Sequence, residues 1–163
     1  VETDVNNEQG TFDFNAENRE LIKQILKKYP KNYQASGIGP LLDLAQRQNN
    51  GWVSVAVMNK VAKILNVPPT RVYEFCTFYT MFNRSPIGKH FIQVCGTTPC
   101  HCVGAVEIMQ ARKKRLGIKV GEPTPDGKFT LVEVECQGAC VNAPMLLVGD
   151  DYYVRIAFND SLY

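Results

Sequence analysis

Two pairs of cysteines constrain this chain more than any other feature: Cys95 and Cys100 in Cys-Gly-Thr-Thr-Pro-Cys, and Cys136 and Cys140 in Cys-Gln-Gly-Ala-Cys. Each pair sits at the end of an apolar run, Phe91 to Val94 for the first and Phe129 to Glu135 for the second. Two short loops, each offering two thiolates, can close around a small inorganic object from two sides. Soft thiolate sites select zinc, copper(I) or iron–sulfur clusters. Structural zinc sites more often place paired ligands two to four residues apart, which these pairs overlap only at the loose end. Four cysteines are also what a [2Fe–2S] cluster takes. Gly96, Gly138 and Ala139 favour the cluster over zinc. Small residues let backbone N–H groups approach closely, and the cluster is negative even when oxidised, so donors to its sulfurs set its potential. Thr97 and Thr98 offer hydroxyl donors as well, although loop threonines more often bond nearby backbone.

The remaining cysteines read differently. Cys76 lies in an apolar helical run with Val72, Phe75 and Tyr79, as a small buried hydrophobe does. Cys102, in the first turn of a predicted helix, reads as a bystander thiol. Six cysteines in 163 residues are too sparse for the disulfide framework of a small secreted domain. A net charge of +2 gives no argument for nucleic acid or a membrane surface. No apolar stretch approaches the roughly 20 residues needed to cross a bilayer. The chain opens at Val1 with no methionine and no basic, apolar leader, so a targeting peptide is expected to be absent from it.

Residues 1–14, with Glu2, Asp4, Glu8 and Asp13 and no basic residue, read as an extended arm without a core of its own. Residues 15–85 read as a small helical bundle. Leu21, Ile22, Ile25, Leu26 and Tyr29 mark a first helix stopped by Pro30, and a second runs from about Pro40 to Gln48. Ser54 is the expected N-cap of a third, and Pro68-Pro69 opens a fourth through about Met81. From residue 89 to 163 the pattern becomes strand, helix (100–116), strand, then a hairpin of Met145–Val148 and Tyr152–Ile156. Both cysteine pairs thus fall at carboxyl ends of strands, where open α/β sheets place ligands. His90 reads as a strand-end residue, and His101, beside Cys100, either as a surface side chain or as one that touches the cluster environment. The charges from Arg112 to Arg115 complement the end of a helix.

Longer stretches carry a resemblance. They are Gly-Trp-Val-Ser-Val-Ala-Val-Met-Asn-Lys-Val-Ala (51–62), Val-Pro-Pro-Thr-Arg-Val-Tyr-Glu (67–74) and Thr-Phe-Tyr-Thr-Met-Phe (77–82), together with 93–100 and 133–145 around the cysteines. In these, and over roughly residues 4–153, the chain resembles the 24-kDa subunits of respiratory complex I, NADH:ubiquinone oxidoreductase. The resemblance implies an α/β chain, an N-terminal helical bundle followed by a thioredoxin-like [2Fe–2S] ferredoxin domain. It carries the cluster ligands onto Cys95, Cys100, Cys136 and Cys140, and implies one-electron exchange with the FMN of a neighbouring subunit. The implied partners are the FMN- and NADH-binding flavoprotein subunit and the adjacent large iron–sulfur subunit, on the matrix side of the mitochondrial inner membrane, without membrane insertion. No NADH or FMN site is expected on this chain. Cys102 has no inherited role. Beyond Tyr152-Tyr153 the family continues with an acidic segment and a helix, whereas this chain ends at Tyr163, as a truncated or divergent form would. Pro144 stands where thioredoxin-like folds often hold a cis proline. A diaphorase subunit of an NAD-linked hydrogenase or formate dehydrogenase shares the same domain. A mainly structural clamp is a further reading. A disulfide reductase would want Cys-x-x-Cys at a helix start, which is absent.

Overall fold

The computed structural model describes residues 10–156. The chain divides between Pro86 and Ile87 into two compact units, each with its own core.

Among the described residues the first unit holds four α-helices, α1 (Ala16–Leu26), α2 (Ile38–Gln48), α3 (Val55–Leu65) and α4 (Pro69–Phe78), with a short 3₁₀ turn (Gln34–Gly37) before α2. Local chemistry sets most of their ends. The Asn15 side chain accepts the Asn18 N–H at 2.7 Å at the start of α1, and the Ser54 hydroxyl accepts the Val57 N–H at 3.2 Å at the start of α3, each satisfying a donor the helix itself leaves unpaired. Asn66, in the left-handed region at φ 53°, ends α3, and proline in the first turn of α4 gives up no needed donor. The α2 helix begins two residues before the expected Pro40, because a proline in the first turn likewise interrupts no helical hydrogen bond. The α1 helix stops at Leu26 and α4 at Phe78, short of Pro30 and Met81. The apolar faces of these helices meet in a core where Leu41, Leu42, Ala45, Val57, Val61 and Val72 are fully buried.

One sequence expectation changes here. The arm read over residues 1–14 places Phe14 in this core, 2% exposed, with Phe12 edge-on against it at 5.1 Å. Polar average composition conceals a single aromatic whose burial outweighs it. The acidic positions Glu2, Asp4 and Glu8 lie outside the described residues.

The second unit is a four-stranded sheet in the order β2-β1-β3-β4. Its strands are β1 (His90–Cys95), β2 (Phe129–Val134), β3 (Met145–Val148) and β4 (Asp151–Val154). The β1–β2 pair is parallel, while β3 lies antiparallel to both β1 and β4. Ile92, Val94, Leu131 and Leu146 from the sheet pack with Ile108 and Met109. The single helix expected over 100–116 is two, α5 (Thr98–Cys102) and α6 (Ala105–Leu116). The break falls at Gly104, whose φ of +100° is open to a residue without a Cβ. The hairpin ends at Val154 rather than Ile156, and the divergent tail read beyond it runs on into 157–163, outside the described residues.

Candidate metal centre

Strand register brings the two cysteine loops together. Cys95, the last residue of β1, lies opposite Val134, the last residue of β2, and the Gly96 N–H donates to the Val134 carbonyl at 3.0 Å. Two parallel strands ending at one level release their loops side by side. A methyl group added at Gly96 would meet the Glu133 side chain on β2, an exposed carboxylate that would have to turn aside. The α5 turn then carries Cys100 back toward Cys95, with the His101 N–H donating to the Thr97 carbonyl at 2.8 Å. In the second loop Gly138 takes a φ of +81°, and Cys140 opens a 3₁₀ turn over Cys140–Asn142. The Ala143–Pro144 peptide leading into β3 is cis, as its position suggests.

The four thiols form two unlike pairs. Cys95 and Cys100 are each 1% exposed, covered by Ala105, Met145 and Leu147. Cys136 and Cys140 are exposed, with their sulfurs 3.2 Å apart. The pairs interlock. The backbone N–H of Gln137, in the second loop, acts on Cys95, while the Thr97 hydroxyl of the first loop acts on Cys136. Cys100 also senses the charge of both Cys95 and Cys140.

Each pair divides into one acidic and one resistant thiol. Burial works against ionisation of Cys95, but Thr97, through hydroxyl and backbone, together with Cys100 and the Gln137 N–H, holds its thiol below the ordinary value. Burial, then the neighbouring Cys95, pushes Cys100 up to about 11. At Cys136 the Gly138 N–H, donating at 3.4 Å, is the main cause of a lowered thiol, and Cys140 adds to it. Cys140 is raised chiefly by its contact with Cys136.

Among the described residues no three His, Cys, Asp or Glu side chains converge as a ready cage for one ion. The fold offers two thiol pairs, the arrangement a dinuclear cluster uses when each iron takes two cysteines. The remaining predicted positions fall elsewhere. Cys102 is exposed on α5, Cys76 is buried in the helical unit, and His90 stacks on Phe129 at 5.2 Å. Sequence reasoning missed Tyr152, whose hydroxyl donates to the Gln137 carbonyl at 2.9 Å, and the Met145 N–H that favours ionised Cys100. Every residue offers a carbonyl and nearly every one an N–H, so no sequence signal marks such partners.

The family described as thioredoxin-like [2Fe-2S] ferredoxin matches residues 22–161. The chain is 59% identical over 153 residues to "NADH dehydrogenase [ubiquinone] flavoprotein 2, mitochondrial" of Dictyostelium discoideum, covering 94% of this chain and 62% of that protein. It therefore spans less than two thirds of that relative. It is 54% identical over 143 residues to an NADH-quinone oxidoreductase subunit of Rickettsia typhi, covering 88% of this chain and 84% of that one. In fold it is similar to an NAD+-reducing [NiFe]-hydrogenase chain in the air-oxidised state, with a TM-score of 0.66 at 17% identity, over 82% of this chain and 23% of that one. The chain belongs to the thioredoxin-like [2Fe–2S] ferredoxins, among the flavoprotein 2 proteins and their bacterial counterparts in NADH–quinone oxidoreductases.

Proposed function

We propose that this chain is an electron-transfer subunit of an NADH-oxidising respiratory complex and holds a [2Fe–2S] cluster on Cys95, Cys100, Cys136 and Cys140. Its partner in this reading is an FMN- and NADH-binding flavoprotein subunit, with a large iron–sulfur subunit adjacent, on the matrix side of the mitochondrial inner membrane. The single observation that carries it is the meeting of two thiol pairs at the level carboxyl ends of parallel strands β1 and β2.

When bound, the cluster takes up and returns one electron at a time. The protein's part is to hold and tune it. Cys95 and Cys100 anchor one side inside the fold, where Ala105, Met145 and Leu147 exclude water. Cys136 and Cys140 present the other side at the surface, where a redox partner has its shortest approach. The Gly138 N–H donates to the Cys136 sulfur at 3.4 Å, and the backbone N–H groups of Gln137 and Met145 favour the ionised forms of Cys95 and Cys100. No helix among the described residues is long and apolar enough to cross a membrane, which suits a peripheral position.

Iron and acid-labile sulfide analysis of anaerobically purified protein, with an EPR spectrum after dithionite reduction, tests this. Two irons and two sulfides per chain, with a rhombic signal from one unpaired electron, are expected of the cluster. Stoichiometric zinc without sulfide, in protein from its native source, would overturn it.

A further inference from the structure

Thr97 occupies the N-cap position of α5, yet its side chain makes no capping hydrogen bond. A threonine there ordinarily turns its hydroxyl onto a free N–H of the first turn. Here the half-buried hydroxyl faces sulfur instead, with its Oγ1 3.1 Å from Cys95 Sγ. The same hydroxyl also favours the ionised form of Cys136 in the opposite loop. Thr98, the next residue, is exposed and has no such contact.

We propose that the Thr97 hydroxyl is a positioning donor that sets the reduction potential of the centre by hydrogen-bonding the sulfur of Cys95. The proposal rests on the cluster reading above. A metal-bound thiolate carries no hydrogen, so the hydroxyl is the only possible donor of the pair. Reduction adds negative charge to the sulfurs, and a donor facing them stabilises the reduced state more than the oxidised one. The hydroxyl therefore raises the potential. Its half-buried setting limits competition from water, which makes the contact matter more than an exposed one would.

The test is an EPR-monitored redox titration of the full chain as wild type, Thr97→Val, Thr97→Ala and Thr97→Ser. Valine keeps the shape and removes the donor; serine keeps the donor. At the wild-type midpoint, the ratio of reduced to oxidised centre is expected to fall roughly three- to tenfold in Thr97→Val and Thr97→Ala, tenfold being 59 mV for a one-electron couple. Thr97→Ser stays near wild type. Iron and sulfide contents measured on the same samples separate two kinds of failure. If wild type holds no cluster, the functional reading fails and this one falls with it. If all four proteins hold the cluster and titrate together, the Thr97 role alone is overturned. If Thr97→Val and Thr97→Ala lose the cluster while Thr97→Ser keeps it, the hydroxyl supports assembly, and the tuning role is again overturned.

Discussion

The phenol of Tyr152 donates its hydrogen to the main-chain carbonyl of Gln137 at 2.9 Å. Strand β4 is thereby pinned to the loop between Cys136 and Cys140, the more exposed half of the site. Tyr152→Phe removes this one bond and leaves the ring. With the side chain 53% exposed, the stability loss is expected below about 1 kcal/mol. Iron release to a chelator, followed by visible bleaching, is expected to accelerate several-fold. Equal release rates in variant and wild type would show that the pin does not restrain the loop.

Cys136→Ser and Cys102→Ser make a matched pair. Both thiols are exposed, and they differ in whether other thiols surround them. Cys136→Ser is expected to abolish the EPR signal and to weaken assembly with the flavoprotein subunit proposed above as its partner, while Cys102→Ser keeps iron and sulfide at wild-type content. A Cys136→Ser protein without a cluster that still supported undiminished NADH oxidation in the complex would favour a structural clamp.

Alkaline stability has a defined contribution from Cys76. Burial in the helical core raises its thiol to about 11, against an ordinary value of 9.0. Between those two values the unfolded chain releases the proton while the folded chain keeps it. The unfolded state then binds fewer protons, so stability falls as pH rises from about 9 to about 11 and this contribution levels off above that window. Cys76→Ala, whatever its cost near neutral pH, is expected to lose less further stability across the window than wild type. Urea unfolding at pH 8.5 and 10.5 measures the difference, and equal losses in the two proteins would remove Cys76 as the source.

Phe14→Ala tests whether the start of the described chain belongs to the bundle. A nearly fully buried aromatic in a packed core costs about 3–5 kcal/mol when truncated. Denaturant unfolding followed by far-UV circular dichroism reads it. A loss under about 1 kcal/mol would return the segment to the status of a loose arm, since exposed substitutions fall in that range.

The parts of this fold visible in the sequence were those set locally. Ser54 caps α3 because a hydroxyl followed by an apolar-periodic run needs nothing distant to act. The cysteine loops were legible because glycine and thiol chemistry are short-range. The division of one helix at Gly104 was not, because a glycine inside a helix costs only about 1 kcal/mol and the apolar spacing of Val103 and Val106 runs on across it. Nor was the contrast between the two thiol pairs. Four identical residue types become a buried pair and an exposed pair only when Met145 and Leu147, 45 to 52 residues on in sequence, fold over Cys95 and Cys100. Long-range packing decides that, and no window of sequence contains it.

That unequal burial also bears on the chain before any cluster is installed. Cys136 and Cys140 stand at the surface 3.2 Å apart, and the Gly138 N–H favours the thiolate of Cys136, the form that peroxide attacks. The resulting sulfenic acid would condense with the thiol of Cys140, releasing water and joining the two sulfurs after an approach of about 1 Å. Such a chain would fold with its first pair of thiols intact and its second spent. A chain oxidised in this way would offer a cluster only its buried pair until a reductant restored the exposed one.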